Sequence, residues 1–329
     1  MTRKSMQAAV LTRYGAPENI EITRIAIPAP KPNEVLVKVS ATPVTTADTM
    51  MRQAIPPISR LFLGWSRPRN NIMGTGFAGE VVSLGAEVSK FELGDRVFGE
   101  SGTGFSANAQ YVCVDEKGVI ELAPNTLSDE EAATIGDGPM TSYHFLKTLA
   151  QVQPGQKVLI IGASGSLGTA GVQIAKSLGA EVAGICSGRN ANLVRSLGAD
   201  SVIDYTTTDF RTKGKQYDVI YDTLGISSFK QCKQSLTDQG IYMSPRLGFA
   251  LLVDLLVSRL FSGKKAKFDA TGLLPAKTLR GYLAEIVDLV EAGRLKVVID
   301  KRYPLEEAVA AHRYVDSGRK RGNVVLLAH

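Results

Sequence analysis

The sequence predicts an α/β protein in which a doubly wound parallel sheet follows a smaller β-rich N-terminal domain. Three observations predict it. Residues Val158 to Gly168, VLIIGASGSLG, read as a short buried strand, a small-residue turn and the start of a helix. From about residue 126 short β-type segments alternate with helical runs, the pattern of a parallel sheet covered on both faces. Residues 7 to 40 instead show short strands bounded by prolines and glycines, as in a small barrel-like domain.

The first observation carries the chemistry. Ala163-x-Gly165-x-x-Gly168 has the spacing of the dinucleotide fingerprint, with alanine in place of the first glycine and Gly162 just before it. Small residues let the turn be tight, let the backbone approach a pyrophosphate and let the helix pack near the strand. The phosphates would rest on the free N–H groups of the helix start, where the helix dipole favours negative charge. A tight strand-to-helix connection with no ligand also uses small residues, so the turn alone does not establish a nucleotide site.

Gly179-Ala180 ends the helix, and Glu181 to Cys186 reads as the second strand. Where that strand ends, about 20 residues past the fingerprint, an NAD site carries Asp or Glu for the ribose hydroxyls. Here the chain reads Cys186-Ser187-Gly188-Arg189, with no acid. Ser187 can hydrogen-bond a phosphate oxygen, and Arg189 can add a charged contact. These two residues point to a 2'-phosphate and so to NADP(H); the alternative is a solvated loop arginine before a helix.

Composition narrows the class. The chain has 329 residues, enough for two domains. Hydrophobic residues make up 44% and charged residues 21%, values ordinary for a soluble globular protein. The formal net charge of +6 is spread out, without a basic tail or an aromatic-interleaved stripe. Nucleic-acid binding is not indicated, although an anionic cofactor benefits. The N-terminus has basic residues but no apolar core segment, so it does not read as a secretory signal. Cys113, Cys186 and Cys232 are widely separated, which argues against a disulfide framework and makes the cytoplasm the expected compartment. With only His144, His312 and His329 besides, no cluster has zinc-ligand spacing.

In chain order, Ala8 to Leu11 and the stretch from Ile20 to Ile27 are β-like, and Pro28, Pro30 and Pro32 end the second. Val35, Val37 and Val39 alternate with Leu36, Lys38 and Ser40, the period of a half-buried strand. Short strands continue at Gly79 to Val82 and Arg96 to Phe98. Before them, Met50 to Asn71 carries prolines and the only tryptophan, Trp65, and reads as a lid, a pocket wall or a packed surface loop. Ser128 to Glu131 is a helix start with acids in its first turn. Strands are then expected at Val158 to Ile161, Glu181 to Cys186, Ser201 to Asp204, Asp218 to Tyr221 and Gly240 to Met243. An amphipathic helix near Lys277 to Ala292, a strand near Val297 to Ile299 and a helix from Leu305 to Val315 come next. The last strand, Asn323 to Leu327, is expected to return to the first domain. Phe249 to Phe261 is strongly apolar but far short of the ~20 residues that span a bilayer. It reads as a buried helix, a subunit interface or a pocket wall, with an interfacial membrane helix as the alternative.

The order and spacing of further segments carry a family resemblance over nearly the whole chain. They are Pro32 to Val39, PNEVLVKV; Gly74 to Gly79, GTGFAG; Gly94 to Gly99, GDRVFG; and Gln153 to Val158, QPGQKV. Leu197 to Asp200, Ile203 to Tyr205, Asp218 to Gly225, Tyr303 to Leu305 and Lys320 to Asn323 continue the set. With these markers the chain resembles the medium-chain dehydrogenase/reductase superfamily, in its zinc-independent, quinone oxidoreductase-like, NADP-dependent branch. The resemblance implies a chaperonin-10-like catalytic domain (1–125), a Rossmann NADP-binding domain (126–265) and a return segment completing the catalytic domain (266–329). It implies a cofactor in the cleft between the domains, and pro-R-type hydride transfer from NADPH to quinones or α,β-unsaturated carbonyl compounds. By position, Thr141 matches a threonine near the nicotinamide, and Tyr205 a tyrosine near the adenosine phosphate. Leu224 and Gly225 match the loop beside the nicotinamide ribose. Ser164, Gly165, Ser166, Leu167 and Gly168 form the phosphate turn, and Asn323 is assigned to the cofactor with them. Met50 and Trp65 are assigned to the substrate pocket.

The departures matter as much. The segment where zinc-dependent relatives carry a cysteine ligand reads Ala41 to Thr46, ATPVTT, and their His-Glu pair is replaced by Thr75-Gly76. The structural-zinc cysteines are absent too, so no metal is expected. Quinone reductases commonly have Asn where Thr45 stands and Tyr near Met50, so a fixed proton donor does not carry over. Thr45 is the candidate hydrogen-bond donor to the substrate carbonyl, with water or a cofactor hydroxyl as alternatives. A simple ketone would demand stronger electrophilic help, which is why conjugated acceptors lead. The rival readings are a carbonyl or enoyl-thioester reductase of the same fold and a non-enzymatic NADPH-binding interaction protein. A homodimer is expected, pairing at an exposed sheet edge after Gly240 with the apolar run alongside.

Overall fold

The structure is a computed structural model that describes residues 5–328, except 56, 66, 67, 103, 104, 213, 215, 261 and 262. Phe261 of the apolar run, three residues of the 50–71 loop and the first four residues therefore lie outside the described residues. The chain begins with β1 (Ser5–Leu11), β2 (Ile20–Ala26) and β3 (Glu34–Pro43), then α1 (Thr46–Gln53) and α2 (Arg60–Leu63). Next come β4 (Gly76–Leu84), β5 (Arg96–Glu100), β6 (Tyr111–Asp115), β7 (Val119–Leu122) and α3 (Asp129–Ala132). After α4 (Gly138–Tyr143) the strands β8 (Lys157–Ile161) and β9 (Glu181–Cys186) flank α5 (Ser166–Ser177). The chain continues through α6 (Ala191–Ser196), β10 (Ser201–Asp204), β11 (Tyr217–Asp222), α7 (Phe229–Cys232) and β12 (Leu236–Met243). It closes with α8 (Phe249–Leu260), β13 (Lys265–Lys267), α9 (Ala276–Glu291), β14 (Ile299–Pro304), α10 (Ala308–Asp316) and β15 (Asn323–Leu327).

These elements form two compact units. One comprises Met1–Asp137, Pro275–Ala284 and Ile299–His329; the other comprises Gly138–Leu274 and Glu285–Val298. Sequence markers drew the first line at 125, whereas the first unit runs on to Asp137. The physical reason is α3: Arg96 pairs with Asp129 at 2.6 Å and Arg302 with Glu130 at 2.6 Å, both within the first unit. Ser128 caps this short helix in a reciprocal box with Glu131.

The first unit is the β-rich one. Its larger sheet runs β14-β15-β3-β4-β5-β7, with β6 also on β3, and β1 pairs β2 separately. Val35, Val37 and Val39 point into one core with Phe77, Val81, Val97 and Ile120, as the alternation requires. The final strand does return, pairing Val325 with Pro43 and Leu327 with Ala41.

The second unit is a six-stranded parallel sheet of order β10-β9-β8-β11-β12-β13. β8 sits at the point where the strand order reverses, the place where such sheets bind ligands at their carboxyl ends. Its Val158, Leu159, Ile160 and Ile161 are all buried, which explains the continuous apolar run.

Two expectations need correction here. The segment after Gly240 is not an edge: β12 is covered by β13, with Ile241 opposite Lys265. A three-residue strand carrying two lysines has too little apolar pattern to read from sequence. Of the readings offered for the apolar run, the buried helix is the one the structure removes. In α8, Leu251 and Ser258 face inward, while Phe249, Leu252, Val253, Leu256 and Val257 are exposed. Among the described residues no helix is long and apolar enough to cross a membrane.

Candidate active site

The site is built on the β8–α5 turn. Gly162 takes φ +77°, a value that L side chains rarely adopt, and Gly162's carbonyl accepts the Gly165 N–H at 3.0 Å to close the turn. A Cβ on Gly168 would overlap the Gly162 carbonyl oxygen and lie 2.6 Å from the Ala163 Cα, so the third position of the fingerprint is glycine for helix–strand packing. Ala163 stands where the first glycine is usual. Its methyl is accommodated because β9 offers Gly184, whose own Cβ would sit 3.0 Å from it.

Gly165 differs from both. A Cβ there would meet only the Gly162 oxygen at 3.5 Å, and its φ of −82° suits any residue. Nothing in the protein demands a glycine at this position. It is also the N-cap of α5, and it offers no side chain to the free N–H groups of the first turn.

Three neighbours converge on the turn. Asn190 donates from Nδ2 to Ser164 Oγ at 3.0 Å, while its buried Oδ1 has no partner. Gly138 lets α4 press against Ser166, and Ser142 Oγ donates to the Leu167 carbonyl at 2.8 Å. Half-buried Thr141 is thereby held beside the first turn of α5. After β11, Leu224 covers Gly162, where an added Cβ would lie 2.6 Å from Leu224 Cγ. That loop is shaped by Asp222, whose carboxylate accepts the N–H groups of Leu224 at 3.1 Å, Gly225 at 2.8 Å and Ser227 at 2.7 Å.

Ser187 and Arg189 follow β9, and Tyr205 follows β10, its neighbour in the sheet. The Tyr205 N–H reaches the Cys186 carbonyl at 3.3 Å, and Arg189 and Tyr205 are both exposed. The sequence shows no acid at the end of the second strand, yet the fold brings one from β10. Asp204 lies against Gly188, and its carboxylate accepts from the Thr206 N–H at 2.9 Å and the Thr206 hydroxyl at 2.8 Å. Those bonds, with the Gly188 N–H, hold its pKa below the usual carboxylate value.

Thr45, Met50, Trp65 and Asn323 belong to the other unit. Thr45 caps α1: its Oγ1 accepts the Asp48 N–H at 3.0 Å and donates to Asp48 Oδ2 at 2.8 Å. Asp48 Oδ2 also accepts the Thr45 N–H at 2.7 Å, while Oδ1 is buried without a partner. Burial, reinforced by Asp137, pushes Asp48 up to about 7 against the bonds from Thr45. Burial also pushes Glu100 up to about 8, with Asp137 and Asp48 adding to it. Met50 is half-buried on α1, Trp65 is exposed, and Asn323 is buried in β15 opposite Ile299.

The chain matches the family description "Alcohol dehydrogenase GroES-like domain" over residues 31–124 and "Zinc-binding dehydrogenase" over residues 197–326. It is 29% identical to a chloroplast envelope quinone oxidoreductase homolog of Arabidopsis thaliana, covering 99% of both chains. The solved structure of the quinone oxidoreductase from Coxiella burnetii superposes with a TM-score of 0.88 at 27% identity, over 99% of this chain and 100% of that one. With human quinone oxidoreductase the identity is 30%, over 99% of this chain and 98% of the human one. The chain belongs to the quinone oxidoreductase-like branch of the medium-chain dehydrogenase/reductase family.

This reductase is therefore an oxidoreductase that works with a nicotinamide cofactor. Its own residues fit such a group. Gly165 has room for a Cβ that its packing does not require to be absent, α5 begins without a side-chain cap, and Asn190 keeps a buried acceptor free beside the turn. Volume alone does not mark the site. A cavity of about 530 Å³, lined in part by Lys157, Glu181, Ser201 and Tyr217, lies at the amino ends of the strands instead. Among the described residues no group of three His, Cys, Asp or Glu is placed to hold a metal ion.

Several site residues escaped the sequence reading. Asn190, Gly184 and Asp204 become relevant only through strand pairing and the packing of α6. Gly138 had no local signal, because its role is set by a helix 28 positions on, at Ser166.

Proposed function

We propose that this reductase is a zinc-independent, NADPH-dependent enzyme that reduces quinones or α,β-unsaturated carbonyl compounds. The observation that carries the reading is Gly165: a glycine that the protein's own packing does not require, at the uncapped start of α5. Gly165 and the first-turn amides of α5 receive the pyrophosphate, and Ser164 and Ser166 add hydroxyls. Ser187 and Arg189 take the 2'-phosphate, with Tyr205 beside them. Asp204 does not compete, because its oxygens accept from Thr206 and Gly188. Thr141, Leu224 and Gly225 position the nicotinamide end, and Asn323 contributes from β15. When bound, the nicotinamide supplies hydride to the electron-poor carbon of the acceptor.

Thr45 is the proposed catalytic residue. Its hydroxyl turns from Asp48 to the substrate carbonyl oxygen, while the Thr45 N–H keeps its bond to Asp48. Met50 and Trp65 line the substrate side in this reading, and water protonates the product. Holding the reacting carbons in near-attack geometry accounts for ~7–11 kcal/mol of the barrier. Conjugated acceptors are favoured in this reading because they need less electrophilic help at the oxygen than a simple ketone, help that the single hydroxyl of Thr45 can give.

We further read the protein as cytoplasmic, on its three unpaired cysteines, and as a homodimer, on the outward apolar face of α8. Oxidation of NADPH and NADH with a panel of quinones, enals and simple ketones tests the function. Turnover with NADPH and conjugated acceptors is expected; activity confined to NADH, or to simple ketones with a bound zinc, would overturn the reading.

A further inference from the structure

The β-rich unit holds a cavity of about 240 Å³ that none of the roles above uses. Leu11, Met51, Leu63, Ile72 and Phe105 supply apolar walls, and exposed Arg69 completes the lining. Tyr14 organises one side. Its hydroxyl donates to the Gly64 carbonyl at 2.8 Å, which ties the 60–64 segment to the end of β1, and Arg60 stacks over its ring at 5.4 Å. Arg69 lines the same cavity as Tyr14, so one guanidinium lies over the aromatic wall and a second lies in the lining beside it. Among the described residues neither arginine has a carboxylate within 4.0 Å, a state they share with several other surface arginines, so what marks them is their place at the Tyr14 wall. Phe105, which also lines the cavity, and its neighbour Ser106 take φ values of +51° and +85°. Two consecutive non-glycine residues in the left-handed region are held strained beside the cavity.

An apolar chamber with Arg69 in its lining and Arg60 over the ring of its Tyr14 wall selects an amphiphile with a negative head. From these features we propose that this cavity binds a medium-chain acyl carboxylate, its alkyl chain against Leu11, Met51 and Leu63 and its carboxylate on Arg60 and Arg69. The planar guanidinium fork matches two carboxylate oxygens better than a single-point anion. A dry cavity of roughly 150 Å³ holds benzene, so by simple scaling this one holds a chain of about 8–10 carbons. The site lies wholly within one unit and does not depend on the cofactor reading or on the reductase reaction.

Titration calorimetry of the full chain without cofactor tests it, using decanoate, decanol and acetate below micellar concentrations. Decanoate binding at one per chain is expected, with decanol weaker and acetate without effect. The exposed pair Arg60→Gln and Arg69→Gln should weaken decanoate about tenfold while leaving decanol unchanged. Leu63→Trp, which fills the chamber, should remove both ligands; the surface variants keep the test decisive if that one misfolds. Equal binding of decanoate and decanol, decanoate binding unaffected by the double arginine change, or no binding at all would each overturn the proposal.

Discussion

Asn190 Nδ2 donates to Ser164 Oγ across 3.0 Å, joining the residue before α6 to the middle of the β8–α5 turn. This bond braces the turn from the side of the second strand, where the adenosine end of a dinucleotide lies. Replacing Asn190 by Ala removes it and leaves Ser164 free to rotate. A neutral hydrogen bond of about 1 kcal/mol corresponds to a roughly three- to tenfold rise in the Kd for NADPH. Fluorescence titration should show this rise with kcat little changed; an unchanged Kd would separate the bond from cofactor binding.

Gly165 and Gly168 should behave in opposite ways. Gly165→Ala makes only an ordinary contact, 3.5 Å to the Gly162 oxygen, so its Tm should match the parent while nucleotide affinity falls. Gly168→Ala drives a methyl into the Gly162 carbonyl and the Ala163 backbone, so its Tm should fall by several degrees. Paired thermal melts and nucleotide titrations read both. A loss of Tm with no loss of affinity in Gly165→Ala would remove the argument that the open position serves a ligand.

Arg189→Ala should raise the KM for NADPH far more than that for NADH. Losing one charged hydrogen bond of about 1.5–3 kcal/mol gives a roughly tenfold or larger effect. Steady-state kinetics with both cofactors decide it, and equal effects on the two would refute the 2'-phosphate assignment.

Stability should fall as pH rises through neutrality. Burial holds Asp48 at about 7 and Glu100 at about 8 in the folded chain, above their ordinary 3.8 and 4.5. The native state therefore binds more protons than the unfolded state between these limits. The stabilisation is complete below about pH 4 and is lost as pH climbs through 7 and 8. Asp137 and the half-buried Lys320 share this neighbourhood, and desolvation holds Lys320 below its usual range. Denaturant unfolding at about pH 5.5 and about pH 8.5 should show lower stability at the higher pH. Glu100→Gln should shrink the difference; a slope unchanged in that variant would assign the effect to other groups.

Much of this protein is legible from the chain alone. Strand β8 and its turn announce themselves because four consecutive apolar residues and three small ones obey purely local rules: burial on both faces, then a tight reversal into a helix. The alternation of Val35, Val37 and Val39 likewise states which face of β3 is inward. Segment order and spacing carried the family, since they sample the whole length.

Tertiary structure decided what depends on partners distant in sequence. Asp204 reaches Gly188 only because β10 pairs with β9, so an acid absent from the end of the second strand is present there in space. The lysine-rich β13 covers β12 through backbone hydrogen bonds, which no side-chain pattern records. The sequence offers Thr45 as a hydrogen-bond donor without showing its capping box with Asp48, and of the readings open for α8 its exposed outward face removes only the fully buried helix. Apolar periodicity reports which residues share a face; the rest of the fold determines whether that face is covered, because burial belongs to the surroundings rather than to the segment.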